Sequence, residues 1–151
     1  MSRFEEATTD VVDKVQEVIR SKFPELNGVN IEIVMDTKKR KSGGKYVLVK
    51  LDKASPILRH ISADNINPDG VDYILYIDKN VYNEMSERDR IRIISHGLYH
   101  AECDFEKDVP YGVRKPTVQT FYEEIADNKD DDKWAERLDI MAESIYDQDD
   151  E

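Results

Sequence analysis

Apolar residues first recur with the period of a helix. Val11 or Val12, Val15, Val18 or Ile19 and then Phe23 mark one face of an amphipathic helix over residues 4–22, and Pro24 closes it. The period then drops to two. Val29, Ile31, Ile33 and Met35 alternate with Asn30, Glu32 and Val34, which predicts a strand over 29–35. A second strand is expected over 45–51, where Tyr46 and the run Val47 to Leu51 are rich in β-formers. The stretch between them, 36–44, holds four consecutive cations (Lys38 to Lys41) and the pair Gly43-Gly44, and reads as a solvated hairpin loop. Its glycines lack the spacing of a phosphate-binding loop. Residues 52–61 are ambiguous, because Pro56 opposes a helix running through their middle. Asn65 to Gly70 has the look of a calcium loop without its leading Asp, and Tyr76 stands where the bidentate Glu belongs, so a tight turn is the reading. Val71 to Ile77 predicts a third strand.

Ser86 precedes Asp89 by three residues, a capping-box-like start for a helix reaching to about Cys103. Its core stripe is Ile91, Ile94, Leu98, Ala101 and Phe105, at alternating spacings of three and four. His96 and His100 lie on another face, beside Ile93 and Cys103. A further helix is expected over 117–126, then an acidic break over 127–132. The last helix, over 133–146, has the seam Trp134, Leu138, Met141 and Ile145, with Glu136, Asp139, Glu143 and Asp147 on its other side. Together these elements predict an α+β fold, with a small sheet of about three strands packed on the central histidine helix. The main domain is expected over 1–128, with an acidic helical segment over 129–151 packed on it.

Composition narrows the classes. A chain of 151 residues with 39% hydrophobic residues is long enough for one real core. No apolar run approaches the length of a transmembrane helix, and the first residues lack the apolar stretch of a signal peptide. Cys103 is the single cysteine, so no internal disulfide forms and a reducing cytoplasm is expected. The net charge of -11 is uneven: residues 123–151 hold 13 acids and 3 bases, and the remainder holds 20 acids and 19 bases. The acidity belongs to the C-terminal segment. It disfavours direct nucleic-acid binding and suits a partner with a basic surface.

The chemistry centres on His96-Gly97-Leu98-Tyr99-His100. Two histidines four apart on a helix share a face and can share one zinc ion. A glutamate directly after the first histidine usually serves as general base in such pairs, and here Gly97 takes its place. A helical glycine costs about 1 kcal/mol against alanine, so Gly97 is not there for helix stability. It either admits a close neighbour or reflects drift. Cys103 cannot easily join both histidines on one ion, since seven helical residues span about 10 Å. Glu123 or Glu124 from the following helix is the more credible third ligand, and Glu124 is the candidate carried forward. No serine sits in a nucleophile-elbow motif, and Cys103 has no evident activating base.

The segments Asp72 to Ile77, Arg90 to Asp104 and Val118 to Phe121 resemble the phage metallopeptidases, small zincin-like proteins with the pattern His-Glu-x-x-His. The resemblance covers roughly Val71 to Ile125 and implies a zinc site in which His96 and His100 are the helical ligands. In that family a later histidine-containing segment supplies the third ligand, and in an ungapped reading Pro116 stands where that histidine would be. The departures, Gly97 and Pro116, fall on functional positions. Losing a positioned general base typically costs about 10²–10⁴ in rate. Three readings of the histidine pair stay open: a metal-free hydrogen-bonded pair, a residual or structural zinc, and a working hydrolase in which Glu102, Glu123 or Glu124 takes over as base or ligand.

The function expected is therefore binding on a scaffold that has lost catalysis. If the resemblance holds, the partner is a host protein, one with a basic nucleic-acid-binding surface being the natural target. The contact surface expected is the acidic helix, with Glu136, Asp139, Glu143 and Asp147 as its charges and Trp134 as an anchor. The competing expectation is a zinc metallopeptidase with a non-standard third ligand and base.

Overall fold

The computed structural model describes residues 3–42, 44–103, 111–114, 124 and 127–147. Its elements run β1 (Phe4–Glu6), α1 (Thr9–Lys22), a 3-10 turn at Pro24–Leu26, β2 (Ile31–Asp36), β3 (Lys41–Ser42), β4 (Lys45–Tyr46) and β5 (Val49–Lys53). Then follow α2 (Pro56–Ser62), β6 (Tyr73–Asp78), α3 (Lys79–Asn83), α4 (Glu87–Tyr99), β7 (Ala101–Cys103), β8 (Tyr111–Val113) and α5 (Trp134–Asp147). The fold is α+β, as the pattern predicts.

The main sheet has four strands in the order β1-β2-β6-β5. β2 and β6 run parallel in the centre, and β1 and β5 flank them antiparallel. Alternation decides the two faces. Ile33 and Met35 of β2, Leu51 of β5, and Tyr73, Leu75 and Ile77 of β6 are buried toward the helices. Val11, Val15, Val18 and Ile19 of α1 and Ile93, Ile94 and Leu98 of α4 meet them in one core. Each fully buried aliphatic side chain contributes about 1.5–3 kcal/mol. Trp134, Leu138, Ala142 and Tyr146 of α5 join that same core.

Several boundaries differ from expectation for local reasons. The first helix starts at Thr9, because Phe4–Glu6 pairs with Val34 to Asp36 as an edge strand. The stretch 45–51 is split, its first two residues closing a hairpin with β3 and Val49 opening β5, which runs on to Lys53. Pro56 is the first residue of α2, where its missing N–H costs nothing, and Ser55 caps that helix by accepting from Leu58 N at 3.2 Å. The histidine helix stops at Tyr99 rather than Cys103, with His100 as its C-cap, and Ala101–Cys103 turns into a hairpin with Tyr111–Val113. Of the helix expected over 117–126, only Glu124 lies within the described residues. No described helix is long and apolar enough to cross a membrane.

Candidate metal centre

Helix α4 carries both histidines, and its placement is strongly determined. Ser86 Oγ accepts from Asp89 N at 3.3 Å, which caps the first turn. Asp89, 2% exposed, then accepts from Arg92 at 2.8 Å and from two Arg137 nitrogens at 2.6 and 2.7 Å. Arg137 belongs to α5, so this network locks the last helix to α4. The Arg137 guanidinium, joined by Arg92, holds the Asp89 carboxyl below its ordinary range despite burial. Asp130 and Asp131 from the acidic break add to the network through Arg92 and Arg137. Part of the C-terminal acidity is thus spent inside the fold.

At the other end of α4 the two imidazoles meet edge to face, with centroids 5.2 Å apart. His96 Nδ1 is 2.8 Å from Glu124 Oε1, and His100 Nδ1 is 2.8 Å from the Arg114 carbonyl. A carboxylate and a carbonyl only accept, so each ring donates from Nδ1, and in a neutral ring Nε2 is the nitrogen that could coordinate a metal. This is the outer arrangement of metal-binding histidines, whose second nitrogen is held by a carboxylate or backbone carbonyl. Burial holds the His100 imidazole below its ordinary pKa, favouring the neutral, ligand-competent form.

The Arg114 carbonyl reaches His100 because the β7–β8 hairpin folds back along the helix end. Arg114 N donates to His100 O at 2.7 Å, and Arg114 Nε donates to Tyr99 O at 2.6 Å. Tyr73 anchors the hairpin from the sheet, its hydroxyl donating to Gly112 O at 2.8 Å. Cys103 is half-buried on β7 with its thiol 3.7 Å from that hydroxyl, and burial pushes its pKa up. It is no activated nucleophile.

Gly97 faces inward. A Cβ there would lie 2.7 Å from Val49 Cγ2 and 2.8 Å from Leu75 Cδ1, closer than real Cβ contacts allow. The missing side chain is filled by the sheet: β5 and β6 press against the helix at the position of the family's glutamate. Glu124, expected as third ligand, is 1% exposed, with its Oε1 2.8 Å from His96 Nδ1. Trp134, expected as a surface anchor, is 8% exposed, with its ring 6.2 Å from that of His96. Its apolar surface belongs to the core. Glu136, Glu143 and Asp147 are exposed and Asp139 is half-buried, and Asp147 accepts from Tyr46 at 2.8 Å.

Among the described residues no group of three His, Cys, Asp or Glu side chains is arranged to hold a metal ion. Among the described residues the donor chemistry fits a metal at two positions, His96 and His100, where catalytic zinc takes three protein ligands. Sequence reasoning missed the Arg114 carbonyl, a backbone group without a residue signature, and of its two readings of Gly97 the close neighbour is the one found, supplied by Val49 and Leu75. No curated protein and no solved structure matches the chain. The family model described as putative phage metallopeptidase matches residues 2–146, nearly the whole length.

Proposed function

Since the chain belongs to the phage metallopeptidase family, we propose that it is a non-hydrolytic member that acts by binding. The observation that carries this reading is Gly97, whose position is occupied by Val49 and Leu75 rather than left open for a general base. His96 and His100 would hold a divalent metal such as zinc through Nε2, with Glu124 and the Arg114 carbonyl orienting the two rings. Bound there, a metal supplies a Lewis-acidic, ligand-accepting centre. The chain itself contributes ring orientation and a fixed tautomer, without a residue beside the first histidine to take a proton from water.

The partner in this reading is a host protein with a basic surface, one that grips nucleic acid being the natural target, and it is met through helix α5, while the chain itself does not bind nucleic acid. What supports α5 is that Glu136, Glu143 and Asp147 stay exposed beside Ile140, which is 61% exposed. An apolar residue amid carboxylates offers a contact as well as a charge. The test is hydrolysis of unfolded casein and a mixed peptide library by zinc-supplemented protein. The expected result is no zinc-dependent cleavage above that of His96→Ala. Cleavage that vanishes with His96→Ala and on chelation would favour the metallopeptidase reading, with a non-standard base and ligand.

A further inference from the structure

The main sheet has a second face, turned away from α1 and α4. Phe4 of β1, Val34 of β2, and Ile74 and Tyr76 of β6 lie on it, and Phe4 and Tyr76 rings touch at 5.6 Å. With Glu32, Leu58 of α2 and Val71 they line an open groove of about 260 Å³. That volume is below the roughly 300–1,000 Å³ of small-molecule pockets and suits one or two large side chains. On α2, next to and one turn on from the groove residue Leu58 in the chain, Ile57 and Ile61 are 63% and 69% exposed. Contiguous apolar surface of this kind with a polar rim marks an interaction site.

Charge selects the occupant. The cations at the β1–β2 and β5 margins have partners within the chain: Arg3 and Arg40 share Asp36 at 2.8 and 3.6 Å and lie near the Phe4 and Tyr76 rings, and Lys50, also near Tyr76, pairs with Asp52 at 3.2 Å. Glu6 and Glu32 are exposed, and among the described residues neither has an ion-pair partner. Glu6 pairs in register with Val34, which puts Glu32 on its diagonal across the β1–β2 ladder. Diagonal neighbours on one face are roughly 7–8 Å apart, so two like charges repel at the rim. A cation from a partner relieves that repulsion, while a nucleic acid would aggravate it.

We propose that this sheet face is a docking groove for a protein segment that presents one or two large apolar side chains and a lysine or arginine. The segment seats its apolar residues between Tyr76, Val34 and Leu58 and its cation between Glu6 and Glu32. The groove lies across the sheet from the histidines and does not depend on the metal reading.

The probe is a fluorescein-labelled 14-residue amphipathic peptide of leucine and lysine, titrated with the whole protein by fluorescence polarisation in physiological salt. Glu6→Lys combined with Glu32→Lys is expected to weaken binding about tenfold or more. The same charge change on the outer side of α1, Asp13→Lys with Glu17→Lys, is expected to leave it within about twofold. Val34→Asp is expected to abolish binding, and an equivalent leucine–glutamate peptide is expected not to bind. All four charge-changed sites are exposed, so the comparison survives if Val34→Asp fails to fold. Equal weakening by both double variants would mean attraction by net charge alone and overturn the proposal. So would tight binding of a single-stranded oligonucleotide, or a dimer in sedimentation that Val34→Asp dissociates, which would make a second copy the occupant.

Discussion

Installing the family's glutamate, Gly97→Glu, tests the packing argument at its most exacting point. The change first gains helix propensity, about 0.5–1 kcal/mol for replacing a helical glycine. Against that stands overpacking. The new Cβ meets Val49 Cγ2 at 2.7 Å and Leu75 Cδ1 at 2.8 Å, and neither yields easily. Val49 is β-branched and stiff at χ1, and Leu75 is fully buried. Forcing such a core apart typically costs about 1–3 kcal/mol. Gly97→Ala carries only these two terms, so it should be destabilising by up to about 2 kcal/mol. Gly97→Glu adds a carboxylate at a buried position whose near neighbours, Val49 and Leu75, are apolar, a further penalty of several kcal/mol unless the helix shifts. Urea denaturation followed by far-UV circular dichroism reads both variants. The expected order of stability is wild type, then Gly97→Ala, then Gly97→Glu, with no zinc-dependent peptidase activity in the last. A Gly97→Glu protein as stable as wild type that cleaves casein with zinc would refute the reasoning.

Asp89→Asn removes the charge that Arg92 and Arg137 share and should cost roughly 2–4 kcal/mol at neutral pH, because Arg92 stays buried. The folded Asp89 carboxyl titrates below its unfolded value of about 3.9, so its contribution is present above that pH and lost as pH falls through the folded value. The stability gap between wild type and Asp89→Asn should therefore narrow below about pH 4, and a gap constant with pH in urea titrations would contradict the assignment. Tyr73→Phe deletes the donor to Gly112 O and should cost about 1 kcal/mol. It should also speed hydrogen exchange at the Arg114 amide, which bonds His100 O; unchanged exchange there would show that Tyr73 does not anchor the hairpin. Glu124→Gln should lower zinc affinity roughly 10- to 100-fold, the scale for an orienting group, with one zinc still bound at saturation. Failure to bind zinc at any concentration would make Glu124 a ligand instead.

Much of the fold was legible because two signals agree in it. The alternation of Ile31, Ile33 and Met35 and the helical spacing of Val11, Val15 and Val18 both describe how one face is buried, and both are local. The Ser86 cap likewise fixed the start of the histidine helix within a residue. Its end was not legible. Nothing glycine- or proline-like follows Tyr99, and the helix stops because residues 101–103 pair with 111–113, a contact eight or more residues away. The strand at Phe4–Glu6 was hidden for the same reason, since its extended form comes from pairing with β2. At the site, residue types identified His96 and His100 and singled out Glu124. Which nitrogen Glu124 faces depends on how the chain returns, and no spacing encodes that. Trp134 fitted a core seam, the commoner reading for such a residue, as well as a surface anchor, and its burial near His96 favours the core. Gly97 registered as a missing glutamate that either admits a close neighbour or reflects drift, and Val49 and Leu75 are that neighbour, which no local pattern names.

The most direct test of the histidine pair as a metal-holding device is zinc stoichiometry by native mass spectrometry, on protein purified without chelator and titrated with zinc. The account predicts one zinc per folded chain, lost on His100→Ala while the fold persists by circular dichroism. A folded wild-type protein that takes up no zinc, or a bound zinc that survives His100→Ala, would contradict it.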